Sequence, residues 1–440
     1  MIEDLPRTDG ANASQLQALV RPGRVHGDVY TKPEIFELEL EKIFHASWLY
    51  IGHESEVPAP GDFVLRTMGR QPVILVRGKD GIVRVLMNRC RHRGALVCEV
   101  ERGREQHFRC WYHGWTYDNT GRLTHVPEPG GYPSDFPYEE YGLSQPPCVD
   151  AYRGFVFASL RGGVKPLREH IGLAAKMIDL MIDASPIGEI ALDMGCNKTA
   201  YNGNWKLVGM DGYHPNYLHV SVIIARAKRE AAAAGNKADA EFMNAVSWSD
   251  ASESVTRDLG NGHSMLDLLP HRMSTVDAYL AELRELDGGA EYIEAMLRAY
   301  GPERGKVLLA MAGDPHVGLF PNVQLINNHV RIITPIAVDK TEIMMFPVRL
   351  AGVSDAINDH RLRKHESFYG PSAAGSPDDA EIFERTQRGL QARVDPWIDL
   401  SRGMHREYVD ADGSIVGKIT DEVPQRAQMK RWLELMSAPA

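Results

Sequence analysis

"NRCRHRGALVCEVERGREQHFRCWYHGW", Asn88 to Trp115, is the stretch on which the reading of this chain turns. It holds three cysteines and three histidines, and two pairs stand out: Cys90 with His92, and Cys110 with His113, separated by seventeen residues. Thiolates are soft ligands and imidazoles borderline, so four such side chains can hold Zn²⁺ or an iron–sulfur cluster. Zinc fingers usually pair Cys with Cys and His with His along the chain, whereas both pairs here are mixed. A Rieske [2Fe–2S] centre needs two Cys on one iron and two His on the other. Two loops that each give one Cys and one His meet that demand. Neutral imidazole in place of thiolate removes negative charge, so such a cluster takes up an electron more readily than an all-Cys one. A purely structural zinc clip is the alternative. Cys98, His107, Cys148 and Cys196 fall outside the pattern and are assigned to packing or surface.

Around this stretch the chain is β-rich. "FVLRTMGRQPVILVRGKDGIVRVLMN" alternates apolar and polar residues, with turn signals at Gly69 and at Lys79-Asp80-Gly81. Asn119-Thr120-Gly121 reads as a tight turn, and "GFVFASL" as a further strand. Before it, residues from about Phe36 to His45 read as a short helix. After Leu167 helical periodicity takes over in "LREHIGLAAKMIDLMIDA" and "AYLAELRELDGGAEYIEAMLRAYG". Strand candidates lie in "GEIALDMGCNKTAYNGNWKL", "VQLINNHVRIITPIAV" and "TEIMMFPVRLAG"; residues 231–254 carry weak signals and read as a loop. With 440 residues, two domains are expected.

Composition narrows the classes. The chain is 43% apolar and 25% charged, as soluble globular proteins are, and its net charge of −10 argues against nucleic-acid or membrane-surface binding. An anionic substrate needs a local Arg or Lys to offset that field. The opening "MIEDLPRTDG" is acidic where a signal peptide is basic, no window has the length of a membrane span, and five cysteines are too few for a disulfide framework. A cytoplasmic location is therefore expected.

A second constellation is "NWKLVGMDGYHPNYLH", with Asp211, His214 and His219. On an ideal helix the two histidines lie about 140° apart, too far round to share an ion. Pro215 disfavours the helical conformation at His214, and a kink there can bring both rings to one side. Two His and one carboxylate form the facial triad of non-haem Fe(II) oxygenases. "SPDDAEIFERTQRGLQ" offers Asp378 and Asp379 as the carboxylate. The competing assignment there is a capping box, with Ser376 as N-cap, Pro377 as first helical residue and Asp379 at the third position.

Taken together, these residues resemble the α (large, terminal oxygenase) subunit of Rieske-type aromatic-ring-hydroxylating oxygenases, in the benzoate-, anthranilate- and salicylate-like group. The likeness covers essentially the whole chain, including "GKITDEVPQRAQMKRWLELM" near its end. It implies an α+β fold: a small all-β Rieske domain at 46–160, and a larger catalytic domain at 161–440 with an antiparallel sheet covered by helices in the helix-grip manner. Residues 1–45 would pack with the latter. Cys90, His92, Cys110 and His113 would hold the [2Fe–2S] cluster, and His214, His219 and Asp379 the mononuclear Fe(II). Asp211 would link His113 of one subunit to His214 of its neighbour. Electrons would come from NAD(P)H through a separate reductase, sometimes by way of a ferredoxin. The assembly would be an α3β3 hexamer with a small β subunit, or an α3 homotrimer.

The activity implied is insertion of both atoms of O₂ into an aromatic carboxylic acid of the benzoate, anthranilate, salicylate, terephthalate or arylacetate class, giving a cis-dihydrodiol or its rearranged product. Alternatives are a mono-oxygenase or demethylase of the same superfamily and, more distantly, a zinc-stabilised binding protein. Arg331 and Arg388 are candidates to pair a substrate carboxylate, with a solvated arginine or an ion pair as the competing assignment. One departure concerns Asn204 to Asp211: seven positions, about three fewer than relatives have. The start of that helix and the pocket wall beside Met210 are therefore expected to differ.

Overall fold

The computed structural model describes residues 13–211, 229, 233, 252–373 and 375–438. The chain forms two compact units: Leu40–His170 with Ala191–Asp193, and a larger one from Met1–Glu39, Ile171–Ile190 and Met194–Ala440.

The smaller unit is built from antiparallel strands in three sheets. Val83–Met87, Gln71–Arg77, Asp62–Met68 and Arg102–Arg104 form one in that order. Leu123–His125, Thr116–Asp118 and His107–Arg109 form the second, and Cys148–Tyr152, Phe155–Ser159 and Leu49–His53 the third. The turns expected at Gly69, Gly81 and Gly121 are present; at Gly121 the left-handed backbone lets its N–H reach the Asp118 carbonyl at 2.9 Å. The core is aromatic: Phe63, Phe108, Trp115 and Tyr117 pack with Ile74, Val76 and Leu86 around Cys90 and Cys110.

The larger unit carries a nine-stranded sheet. Its order is Asn197–Tyr201, Lys340–Pro347, His329–Ala337, Val323–Ile326, Val317–Leu319, His263–Asp267, Val255–Gly260, Ile415–Lys418 and Tyr408–Val409, every neighbouring pair antiparallel. The expected helical stretches resolve into Leu167–Ile171 and Ala175–Ile182, and into Leu269–Arg284 and Gly289–Tyr300. Gly172 (φ +52°) and Gly288 (φ +75°) make the breaks. The helices Pro302–Met311 and Asp355–Tyr369 were not foreseen. The buried side of the latter includes Asn358, Arg361 and His365, so no apolar stripe announces it. Nor were the strands at Val255 and His263 foreseen; at the first, the inward positions are Thr256 and Asp258. The expected loop at 231–254 lies almost wholly outside the described residues. No helix among the described residues is long and apolar enough to cross a membrane.

Each unit buries one histidine whose imidazole is pushed down to about 4 from an ordinary 6.5, chiefly by burial: His53 in the smaller and His365 in the larger. These rings stay neutral in the folded chain while the unfolded chain takes up protons below pH 6.5. Their contribution to stability is thus intact above pH 6.5 and is lost as pH falls toward 4, by up to about 1.4 kcal/mol per pH unit for each ring. Urea midpoints measured from pH 7.5 to 4.5 are expected to fall, and to fall less steeply for His53→Asn, which keeps an acceptor for the Ser55 N–H. Equal slopes would contradict this account of His53.

Candidate metal centres

The two Cys/His pairs sit on loops with the same hydrogen-bond frame. Cys90 N–H donates to the Ala95 carbonyl at 2.7 Å, and Gly94 N–H to the Cys90 carbonyl at 2.9 Å. In the other loop Cys110 N–H donates to the Trp115 carbonyl at 2.8 Å, and Gly114 N–H to the Cys110 carbonyl at 2.9 Å. Each loop therefore closes four and five residues beyond its cysteine, through a glycine at φ +79° or +72°. A Cβ at Gly114 would stand 2.9 Å from Pro127 Cγ, so that loop has no room for a larger residue. Asn88 locks the first loop, its Oδ1 accepting from the N–H groups of Val97 and Cys98 and its Nδ2 donating to the Cys98 carbonyl.

The sulfurs face inward and the imidazoles outward. Cys90 and Cys110 are each 2% exposed, whereas His92 and His113 are half-buried with ring centroids 4.6 Å apart. The Tyr117 hydroxyl accepts from Arg91 N–H at 3.0 Å and lies 3.3 Å from Cys90 Sγ, so its own proton can point at the sulfur. His92 stacks on Trp115 at 5.0 Å, and its Nδ1 is buried with no hydrogen-bond partner among the described residues. Burial, then the charges of His113 and Arg93, hold this imidazole below its usual value, favouring the neutral form that ligates metals. The paired loops fit a two-iron cluster.

In the larger unit, the turn Asn202–Asn204 joins the two segments that matter. Asn204 is fully buried and caps the helix Trp205–Asp211, its Oδ1 accepting from Lys206 N–H at 3.1 Å. The Tyr201–Asn204 turn thus separates the strand from a helix, and the "NWKL" end of the expected strand is helical. Gln387, on the helix Ser376–Gly389, accepts from Asn204 N–H at 3.1 Å and donates to the Tyr30 carbonyl at 3.1 Å. Glu384, one turn earlier, accepts from the backbone and side-chain N–H groups of Asn202. The helix carrying Asp379 is thereby tied to the start of the helix carrying Asp211. Neither Gln387 nor Glu384 carries a local sign of this role; their one regularity is a spacing of three on the same helix.

The capping box expected at Ser376 is not formed. Gly375 is the N-cap and makes no side-chain cap, Ser376 is the first helical residue, and its hydroxyl lies 3.9 Å from Met345 Sδ. The helix begins one residue earlier because Gly375 accepts from both Asp378 and Asp379 N–H groups through its carbonyl. Asp379 lines a cavity of about 310 Å³ with Arg331, Val208, Ile343, Met345 and Phe383. Arg331 is 4% exposed. Its Nη1 donates to Gln324 Oε1 at 3.2 Å, its guanidinium lies 5.6 Å from the Tyr369 ring centre, and its Nε has no partner among the described residues. Arg388 is elsewhere, exposed on the outer face of its helix beside Glu381 at 3.7 Å. His214, His219 and the side chains of Met210 and Asp211 lie outside the described residues.

The helix Trp205–Asp211 is held at its start by a buried charge. Glu39 is fully buried and accepts from Lys206 Nζ at 2.5 Å, Trp205 Nε1 at 2.8 Å and Trp432 Nε1 at 2.6 Å. Burial pushes the Lys206 ammonium down, and Glu39 opposes that shift. Removing one partner of such a pair costs about 3–5 kcal/mol, while replacing both by apolar groups is often neutral. Glu39→Ala is therefore expected to lower stability by about 3–5 kcal/mol in urea unfolding, and Glu39→Gln with Lys206→Met, which keeps an acceptor for the indoles, to recover part of it. A loss below about 1 kcal/mol for the single variant would contradict the arrangement.

A family model of the Rieske [2Fe–2S] domain matches residues 47–139. The chain is 35% identical over 402 residues to the anthranilate 1,2-dioxygenase large subunit of Acinetobacter baylyi, covering 87% of this chain and 81% of that one. It is 31% identical over 403 residues to the 2-halobenzoate 1,2-dioxygenase large subunit of Burkholderia cepacia, covering 89% and 83%. Toluate 1,2-dioxygenase subunit alpha of Pseudomonas putida is 33% identical over 389 residues, with 86% and 81% covered. Among solved structures, naphthalene 1,2-dioxygenase with indole bound superposes with a TM-score of 0.81 over 97% of this chain and 95% of that one. At 22% identity that likeness speaks for the fold: a Rieske domain plus a catalytic domain of antiparallel sheet and helices.

Proposed function

The chain belongs to the large subunits of Rieske-type aromatic-ring-hydroxylating dioxygenases, and on that premise we propose that its substrate is an aromatic carboxylic acid held by Arg331. It is an oxidoreductase, the large subunit of a multicomponent oxygenase that uses a Rieske [2Fe–2S] cluster, a mononuclear non-haem iron and electrons from a separate reductase. When bound, the iron supplies the site of O₂ activation and the cluster supplies single electrons.

One observation carries the substrate reading. Arg331 is buried in the wall of the cavity that contains Asp379, and it has no carboxylate partner among the described residues. A buried, uncompensated guanidinium is costly, and an anionic substrate supplies the missing charge through a paired, charge-assisted contact. In a chain of net charge −10, this is the local cation an anion requires. Anthranilate, 2-halobenzoate and toluate, from which the relatives take their names, are aromatic carboxylates.

In this reading residues 46–160 are the cluster domain and 161–440 the catalytic domain, with 1–45 packed on the latter. Cys90, Cys110, His92 and His113 hold the cluster, and His214, His219 and Asp379 hold the iron. Asp211 accepts imidazole N–H bonds from His113 of a neighbouring subunit and from His214, fixing both rings. The chain assembles as α3β3 or α3 in the cytoplasm, where cysteines outside the cluster stay reduced, and draws on a reductase and in some settings a ferredoxin. Val208, Ile343, Met345 and Phe383 give the cavity an apolar lining suited to an aromatic ring.

Arg331→Gln is expected to lower kcat/KM for benzoate-class acids by about 10- to 100-fold, the worth of a charge-assisted bond. Turnover of neutral arenes should change about twofold or less, judged by NADH-coupled O₂ uptake and product formed. Equal losses for the two substrate classes would contradict the anchor.

A further inference from the structure

Gln324 lies in a strand of the larger unit, 1% exposed, and its register partner across the sheet is Arg331. Directly opposed residues on antiparallel strands share a face. Both ends of the Gln324 amide are used. Its Oε1 accepts from Arg331 Nη1 at 3.2 Å, and its Nε2 donates to the Val208 carbonyl at 2.9 Å. Val208 is in the helix Trp205–Asp211, three residues before Asp211. The neighbouring Gly209 carbonyl accepts from Gln428 Nε2 at 2.6 Å, on the helix Val423–Ser437. Two buried side-chain amides thus serve two successive carbonyls of the helix that carries Asp211.

We infer that Gln324 is a positioning residue that ties the substrate-side cation Arg331 to the helix delivering Asp211. The inference rests on the carboxylate reading of Arg331 given above. An amide suits the place because its two ends offer an acceptor to the guanidinium and a donor to the helix at once. A carboxylate would neutralise Arg331 and lose the helix, and an apolar side chain would lose both contacts. The amide thus joins the orientation of the substrate-binding cation to the position of the residue placed between the two metals. If the tie is lost, electrons and O₂ are still consumed, but the ring is hydroxylated less often. The uncoupled reaction consumes O₂, two electrons from NADH through the reductase and two protons, and releases H₂O₂.

The test uses the metal-loaded enzyme with benzoate as the probe, comparing the natural protein with Gln324→Met, Gln324→Glu and Arg331→Gln. Calorimetry reads benzoate binding without turnover, and peroxide released per O₂ reads coupling. Gln324→Met is expected to bind benzoate within about threefold of the natural protein yet to release several-fold more peroxide, with iron content preserved and a melting temperature lowered by the loss of two buried hydrogen bonds. Gln324→Glu, nearly isosteric, is expected to bind benzoate at least about 10-fold more weakly, because its own carboxylate occupies the guanidinium. Natural coupling in Gln324→Met, whatever its affinity, or natural affinity in Gln324→Glu, would overturn the tie. Natural benzoate affinity in Arg331→Gln would instead overturn the carboxylate reading, while the peroxide yield of Gln324→Met would still report on the contact with the helix.

Discussion

Glu39 is the constraint on which the larger unit is built. One carboxylate with no solvent exposure receives an ammonium and two indole N–H groups, from Lys206, Trp205 and Trp432. Two of those donors open the helix that runs to Asp211, and the third comes from the helix Val423–Ser437. Apolar residues could replace the ion pair itself at little cost, but they would leave both indole N–H groups without an acceptor. What a buried charge adds is directionality: only one orientation of the Trp205 helix satisfies all three bonds. The same helix is then held at its far end by Gln324 and Gln428, and its first turn is bonded to the Asp379 helix through Gln387. Rigid support of this kind is what a metal site demands, since ligands must be held within a fraction of an ångström.

The two units solve opposite problems. In the smaller one, the cysteines must be dry and the histidines reachable. Tandem loops closed by Gly94 and Gly114 put both sulfurs in an aromatic core and leave both imidazoles at the rim, beside the exposed Trp111 and Tyr112. In the larger one, a cavity must be apolar enough for a ring and still offer one cation. A row of directly opposed residues across three strands, Gln324, Arg331 and Met345, provides that cation from the middle of a sheet.

How much of this can be read from the chain depends on how local the information is. The Rieske domain is legible because the two Cys/His pairs are local, each in a short loop with a turn glycine four residues beyond its cysteine. The strands of the smaller unit are legible because their alternation and turns are local as well. Arg331 could be suspected for its charge in an apolar strand, but its link to Gln324 is a matter of sheet register and has no local sign. The contacts of Asn204 with Gln387 and of Glu39 with Lys206 span more than 160 residues each, which no local pattern reveals. At Ser376 the local rule misled: a serine before a proline reads as a cap, yet Gly375 takes that role. The helix Asp355–Tyr369 has no apolar stripe, because its buried face carries Asn358, Arg361 and His365. Residues of such sites break the apolar pattern that betrays ordinary core elements.

On this account a buried arginine with no carboxylate partner among the described residues, in the wall of the Asp379 cavity, selects aromatic acids. A crystal structure of the iron-loaded enzyme with benzoate bound tests it most directly. The account predicts the carboxylate in paired contact with the Arg331 guanidinium, at about 2.7–2.9 Å, with the ring extending toward Asp379. A benzoate bound in the same cavity with its carboxylate turned away from Arg331 would contradict it.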